Sequence, residues 1–123
     1  MRVLLSAALG AAIGFERERA RKPAGIRTHV IIAAAATLFT LASAYTVTGT
    51  DPTRIAAGIV TGIGFLGAGV ILHREGGIGG LTTAATIWAV ASIGLAVGLG
   101  MYLVAPVVTL VILVALLVPR IGA

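Results

Sequence analysis

Four carboxylates in a sequence of 123 residues set a narrow limit on acid–base or metal chemistry. Glu16, Glu18 and Glu75 stand among basic residues, and Asp51 precedes Pro52 in the segment DPTR. Mg²⁺ takes oxygen ligands in near-octahedral geometry and usually keeps several waters. Because no carboxylate lies in the middle of a long apolar stretch, we expect no metal site and no cation path lined by carboxylates.

Patterns typical of enzymes are also missing from the sequence. There is no Ser-His-Asp order, no HExxH, no phosphate-binding loop and no dinucleotide fingerprint. Without cysteine the chain can form neither disulfides nor thiolate metal sites. No aromatic residues are interleaved with the basic ones, as a stacking surface for nucleic acid would require. We expect no enzymatic activity, no cofactor and no nucleic-acid partner.

The best-placed charged candidates for a site are Asp51 and Arg54. Asp51 followed by Pro52 fits a helix N-cap and the first helical position, which would explain both residues without any function. Arg54 is placed to pair with Asp51 or with lipid phosphate. The alternative is a functional pair at the membrane edge, which holds an ion or faces a partner without moving a charge into hydrocarbon.

A second candidate is the stretch Gly58–Leu72, which has five glycines in fifteen apolar residues. On a helix three glycines would share one side and two the other: Gly58, Gly62 and Gly69 against Gly64 and Gly67. Small residues let helices approach closely in lipid, so one interpretation is a central helix held on two faces. The other is a helix broken at GIGFLGAG, whose freed backbone groups line a polar cavity.

Hydroxyl and indole groups inside the apolar stretches are further candidates. Thr82 and Thr86 share a helix face, and Thr83 is adjacent to them. These three threonines are candidates for a substrate or partner surface. The structural alternative is that Thr82 caps its helix and that the hydroxyls bond to carbonyls of their own helix. For Trp88 we expect a core position, with an indole donor facing a cavity as the alternative. The GxxxG pair Gly94 and Gly98 indicates packing or a hairpin.

Two polar residues stand where the second apolar stretch begins. Arg27 and His29 are suited to anionic lipid headgroups at a membrane surface. His73 and Glu75 lie in the glycine-rich segment His73–Gly80, which we predict to be a loop. We do not interpret these two residues as a metal site.

The elements that must position these residues are membrane helices. The sequence is 59% hydrophobic and 11% charged, far from the roughly 25% charge of a soluble domain. The first apolar run ends without a cleavage site, so we take it as a retained span. The charges divide a single domain, 1–123, into five predicted spans, about 2–15, 29–48, 53–72, 81–98 and 101–118. The first is short compared with the roughly 20 residues that a bilayer needs. The predicted fold is an all-α polytopic membrane protein, a small Gly-rich bundle.

The positions of the basic residues predict its orientation. With five spans, most of them lie on one side: Arg17, Arg19, Arg21, Lys22, Arg27, Arg74 and Arg120, against Arg2 and Arg54 on the other. Short cytoplasmic loops are rich in Lys and Arg. We therefore expect the segment Glu16–Arg27 and the C-terminus in the cytoplasm and the N-terminus outside.

Three ordered segments resemble the hydrophobic N-terminal domain of the MgtC/SapB family: GFERERARKPAGIRTH, DPTRIAAGIVTGIGFLGAGVIL and GLTTAATIWAVASIGLAVGLG. The resemblance covers roughly 10–116. It implies a bacterial inner-membrane protein linked to growth at low magnesium and, in pathogens, to survival in phagocytes. It also implies action by restraint of other membrane proteins, including the ATP synthase, rather than magnesium import. The matching motif residues are Glu16, Glu18, Arg27, Thr28, His29, Asp51, Pro52, Arg54, Gly62, Gly64, Gly67, Gly69, Thr82, Thr83 and Trp88.

The sequence departs from this family pattern in two respects. Many relatives have Gln where Gly58 stands, so any polar role of that amide is absent here. Relatives also carry a C-terminal cytoplasmic domain, which these 123 residues do not include. The departures affect the virulence role and the particular partners, and leave the membrane domain in place.

Two classes of function follow. The first is a regulatory protein that binds other membrane proteins, and a second copy of itself as a dimer, through its helices in the bilayer. The second is a small transporter or channel whose cavity uses the glycine span, Asp51, Arg54 and the threonines. A continuous third helix with a dry centre would favour the first class. A broken helix beside a wet cavity would favour the second.

Overall fold

Five helices form the bundle in the computed structural model of the chain, which describes residues 1–46, 52–74 and 77–118. In chain order they are α1 (Arg2–Arg19), α2 (Ile26–Thr46), α3 (Pro52–Val70), α4 (Leu81–Gly98) and α5 (Val104–Leu117). Three of them, α2, α3 and α4, are long and apolar enough to cross a membrane, and α5 is a shorter apolar helix. The prediction of an all-α membrane bundle is confirmed.

The predicted loop between the third and fourth helices contains a small hairpin instead. Its strands are β1 (Leu72–Arg74) and β2 (Gly77–Gly79), which pair antiparallel with Leu72 opposite Gly79. Gly80 then joins β2 to α4 with a φ of 86°, which favours glycine. A Cβ at this position would also lie 2.5 Å from the carbonyl oxygen of Val70. The glycines of this segment therefore indicated a tight backbone connection, which is found at Gly80, and the pairing of β1 with β2 was missed.

The first helix is longer than predicted, because it continues through the charged residues to Arg19. It ends in a Schellman motif, in which Lys22 N–H donates to the carbonyl of Arg17 and Arg21 N–H to that of Glu18, both at 3.0 Å. Arg21 has the left-handed φ of 60° that this motif requires. The basic residues thus extend the helix by a full turn before the chain reverses.

The predicted hairpin between the last two helices is confirmed. Gly100 has a φ of 85°, and the N–H of Met101 donates to the carbonyl of Ala96 at 2.9 Å, so α4 also ends in a Schellman motif. Arg2 joins this turn to the start of α1. Its Nε donates to the Tyr102 hydroxyl at 2.6 Å and its Nη1 to the carbonyl of Gly98 at 2.9 Å.

Helices α1, α2 and α4 form the core of the bundle. Small residues allow this close approach. A Cβ added to Gly10 would lie 2.8 Å from the carbonyl oxygen of His29, and one added to Gly98 would lie 2.6 Å from Cβ of Thr40. At Gly94 it would overlap the carbonyl oxygen of Ala33. The packing role predicted for the Gly94 and Gly98 pair is therefore confirmed.

Helix α3 differs from both interpretations of its glycines. It is continuous from Pro52 to Val70, so the predicted break at GIGFLGAG is wrong. A Cβ added to four of the glycines would meet nothing within 4 Å, and at Gly67 it would make an ordinary contact with Ala84 at 3.7 Å; the four are Gly58, Gly62, Gly64 and Gly69. Close packing on two faces is therefore wrong within one chain, because α3 packs mainly on α4 and only lightly on α2.

Candidate functional site

The uncovered glycine face of α3 borders an apolar groove between α2, α3 and α4. This groove has a volume of about 460 Å³. Residues from all three helices line it: Ile31, Ile32, Ala35, Ala36, Phe39, Arg54, Ile55, Gly58, Ile59, Gly62, Ile63, Leu66 and Ala91. Among these lining residues Arg54 alone is charged, and it belongs to the first turn of α3. No carboxylate lines the groove within the part of the chain that the structure describes, so this part of the groove suits a hydrocarbon surface and repels a bare cation.

The predicted site residues on α3 divide between the two sides of the helix. Gly62 and Arg54 face the groove. Gly64 and Gly69 are exposed and do not line the groove, and Gly67 is buried against α4. Asp51, the predicted partner of Arg54, lies outside the described residues. Pro52 occupies the first position of α3, as the cap interpretation requires.

Three other predicted residues come together in a buried polar cluster between α2 and α4. His29 is fully buried; its Nδ1 lies 2.8 Å from the carbonyl oxygen of Gly25 and its Nε2 3.1 Å from Oγ1 of Thr86. The hydroxyl of Thr86 also lies 2.8 Å from the carbonyl oxygen of Thr83. Because a carbonyl only accepts, Nδ1 carries a proton. The single hydroxyl proton of Thr86 then points either to the ring or to Thr83.

The cluster corrects the interpretation of His29 as a headgroup contact. Both ring nitrogens of His29 have hydrogen-bond partners in the protein, Gly25 and Thr86, and the side chain of His29 is enclosed by protein. Arg27 is exposed and remains available to the membrane surface. Buried polar groups in lipid are generally bonded to protein. The cluster therefore links α2 to α4 through the contact between His29 and Thr86.

The structure corrects two more expectations on α4. Trp88 is 53% exposed rather than in the core. Thr82 is exposed and does not cap the helix, since α4 begins at Leu81 and its N-cap is Gly80, without a side-chain cap bond. The large indole therefore faces away from the protein interior.

Five buried polar side chains of the described residues were not among the candidates: Ser6, Arg17, Thr37, Thr40 and Thr109. Thr37 Oγ1 lies 3.0 Å from the carbonyl oxygen of Ala33 in its own helix and 2.8 Å from that of Gly94 in α4. Arg17 is 3% exposed although it belongs to the basic segment ERER. Helical spacing could have revealed Arg17, because it continues the face of Gly10, Ile13 and Gly14. No groups of three or more His, Cys, Asp or Glu suited to a metal ion occur within the described ranges.

Comparison with known proteins identifies the family of the chain. The model of the MgtC family matches residues 3–121. The chain is 49% identical over 110 residues to the Escherichia coli (strain K12) protein named "Putative magnesium transporter YhiD", a match that covers 83% of this chain and 51% of that protein. It is 46% identical over 115 residues to "Protein MgtC" of Salmonella typhimurium (strain LT2), a match that covers 94% of this chain and 49% of that protein.

A Haemophilus influenzae protein without an assigned function is 46% identical over 125 residues, covering 94% of this chain and 52% of its own length. The chain thus spans about half the length of these relatives. No solved structure matches it. From the family match and the apolar helices, the chain is a membrane protein that belongs to the MgtC family.

Proposed function

We propose that this chain is a non-enzymatic regulatory protein that binds other membrane proteins through its helices and supports growth at low magnesium. The observation that carries the proposal is a continuous α3 whose glycine face is uncovered along an apolar groove. In lipid there is little hydrophobic drive between helices, so a surface that lets another backbone approach closely favours association. The magnesium link comes from the family and from the name of its relative YhiD.

Transport is the second candidate, and the name of YhiD favours it. A magnesium path would need oxygen ligands or retained water along its length. The groove instead offers apolar side chains and one arginine, whose charge repels a divalent cation. On the criterion of a continuous helix beside a dry centre, the geometry supports the regulatory class better.

Substitutions on opposite faces of α3 test the proposal. Gly62→Leu fills the groove, and Gly64→Leu adds the same side chain to a glycine that does not line it. Neither new side chain meets protein atoms near its Cβ, so both variants should accumulate normally. Growth at low magnesium would be measured in a strain that lacks its own family member and depends on this chain. We expect Gly62→Leu to fail and Gly64→Leu to support growth.

Crosslinking from Ile59, which lines the groove, gives the molecular measurement. A photoreactive residue at this position should capture other membrane proteins, and Gly62→Leu should reduce the yield severalfold. Wild-type growth and unchanged crosslinking in Gly62→Leu would refute the groove as a partner surface. Magnesium uptake by liposomes that contain the purified chain alone would favour transport instead.

We also propose a location in the bacterial inner membrane with the N-terminus outside, the C-terminus in the cytoplasm, and a dimeric state. The basic residues near the end of α1 support this orientation. An Ala20→Cys variant tests it, because Ala20 is exposed directly after α1. Labelling by a membrane-impermeant thiol reagent in intact spheroplasts would refute the orientation. Chemical crosslinking that yields only monomer would refute the dimer.

A further inference from the structure

A second cavity lies between the end of α1 and the start of α4, and it shares no lining residue with the groove. Its volume is about 560 Å³. Of the described residues that line it, the charged ones are three cations, Arg17, Arg21 and Lys22, and one carboxylate, Glu16. An excess of positive charge in a concave site attracts anions. We call it the basic cavity.

Arg17 is the buried cation of this cavity. Its side chain is 4% exposed, and its Nη1 lies 3.4 Å from Oε1 of Glu16. Among the described residues, Nε and Nη2 have no hydrogen-bond partner. A guanidinium keeps its proton in proteins, and a buried charge is unfavourable unless it is paired and hydrogen-bonded. The single long contact to Glu16 therefore compensates the buried charge of Arg17 only in part.

The start of α4 supplies independent donors to the same cavity. Gly80, Leu81, Thr82 and Thr83 all line it. The first backbone N–H groups of a helix have no partner within the helix, and they carry the positive end of its dipole. In α4 no side chain of the described residues caps these groups, and no acidic residue occupies the first turn. Both features favour an anion at this position.

We propose that the basic cavity binds a phosphate-bearing anion, with Arg17 as its buried counter-charge and the N-terminus of α4 as its second contact. Arginine pairs with phosphate through parallel N–H donors, which would satisfy groups that now lack partners. Val70, Ala115 and Leu116 add an apolar wall. The phosphate therefore belongs either to the headgroup of an anionic phospholipid or to a soluble anion.

Binding measurements on the purified full chain distinguish these two sources. In the lipid arm, native mass spectrometry compares the retention of phosphatidylglycerol with that of zwitterionic phosphatidylcholine. In the soluble arm, thermal stability in neutral detergent is measured against inorganic phosphate, with chloride at equal ionic strength as the control. Selective retention of phosphatidylglycerol identifies a lipid headgroup. Stabilisation by inorganic phosphate identifies a soluble anion.

The matched pair Arg17→Gln and Arg19→Gln shows whether the basic cavity is responsible. Both remove one positive charge from the last turns of α1, but Arg19 is exposed and does not line the cavity. Hydrogen bonds to charged groups contribute more to binding than neutral ones do. Arg17→Gln should therefore weaken binding of the responding probe by about tenfold or more. Arg19→Gln should bind as the wild type does. If neither probe binds, or if Arg17→Gln binds the responding probe as tightly as the wild type does, the proposal is overturned.

A third variant keeps the test decisive if Arg17→Gln fails to fold. Arg21 is exposed and lines the cavity, so Arg21→Gln should leave the fold intact. Because solvent screens an exposed charge, its loss should weaken binding by only about two- to fivefold. Binding that is unchanged in Arg21→Gln would then overturn the proposal. None of these results depends on the groove.

Discussion

Helix α3 contains five glycines and helix α4 two, and the bundle uses the residue in opposite ways in the two helices. Half of the α4 segment Leu81–Gly98 is buried, whereas 11% of the α3 segment Thr53–Val70 is buried. Gly94 and Gly98 of α4 touch the backbone or side chains of α2, and Gly62 and Gly64 of α3 face open space. A small-residue motif therefore shows where a helix can be approached closely, and the neighbouring elements decide whether anything approaches it within one chain.

The largest effect should follow Gly94→Leu in α4. Even the first added carbon overlaps the carbonyl oxygen of Ala33 and lies 2.9 Å from Cβ of Ala36. Backbone cannot move aside as a flexible side chain does. We therefore expect the free energy of unfolding to fall by at least about 3 kcal/mol, the upper end of the range for overpacked cores. Unfolding of the purified variant in detergent would measure this loss.

The matched control for Gly94→Leu is Gly62→Leu in α3, which adds the same side chain where a Cβ meets nothing within 4 Å. Its midpoint of thermal unfolding should stay close to that of the wild type. Equal damage in the two variants would remove the contrast between the helices. It would mean that α3 is covered as closely as α4 in the folded protein.

A smaller effect should follow Thr37→Val, which keeps the shape of the side chain and removes the hydroxyl. Oγ1 of Thr37 donates to carbonyls of α2 and α4, including that of Gly94 at 2.8 Å. Hydrogen bonds between membrane helices contribute about 0.6 kcal/mol on average and up to about 1.7. We expect a destabilisation in that range, measured by chemical unfolding in detergent micelles.

Thr109→Val is the control for the interhelical bond. Thr109 is buried in α5, but its hydroxyl bonds at 2.8 Å to Ala105 of the same helix. A bond within one helix adds no contact between helices, so this variant should lose less stability than Thr37→Val. A larger loss in Thr109→Val would show that burial of the hydroxyl, rather than the bond to Gly94, determines the difference.

Much of the architecture could be predicted from the sequence because it follows from composition and spacing. The absence of charge between Leu81 and Val118, with Gly98 and Gly100 in the middle, correctly predicted two helices joined by a hairpin. The sequence predicts the end of α1 too early, because its charged residues suggest a loop, although a helix can continue through charged residues into solvent. Arg17 was missed for the same reason.

The environment of a side chain was harder to predict than its helix. His29, Thr83 and Thr86 were candidates, but their cluster depends on how α2 rotates against α4, which local periodicity does not determine. The position of Trp88 in the middle of the fourth predicted span favours the core, whereas its face on α4 leaves it exposed. The groove depends on the light contact between α2 and α3, which is a property of the assembled bundle.

The smallest effect, and one of opposite sign, should follow Gly64→Ala in α3. Gly64 is an interior position of the helix, and its added methyl group meets no neighbour within 4 Å. Glycine is a weaker helix former than alanine by up to about 1 kcal/mol, because it loses more backbone freedom on folding. We therefore expect an unchanged or slightly raised midpoint of thermal unfolding.

The counterpart of Gly64→Ala is Gly10→Ala in α1, which offers the same gain in helix propensity. Its Cβ would lie 2.8 Å from the carbonyl oxygen of His29 and 3.0 Å from Cβ of Ala33. Steric overlap with α2 should exceed the gain and lower the unfolding midpoint by several degrees. Opposite signs in this pair would separate the backbone cost of glycine from its packing benefit. A loss in Gly64→Ala as large as in Gly10→Ala would place a neighbour against α3 that the single chain does not contain, and a dimer or partner bound to that face would be the explanation to pursue.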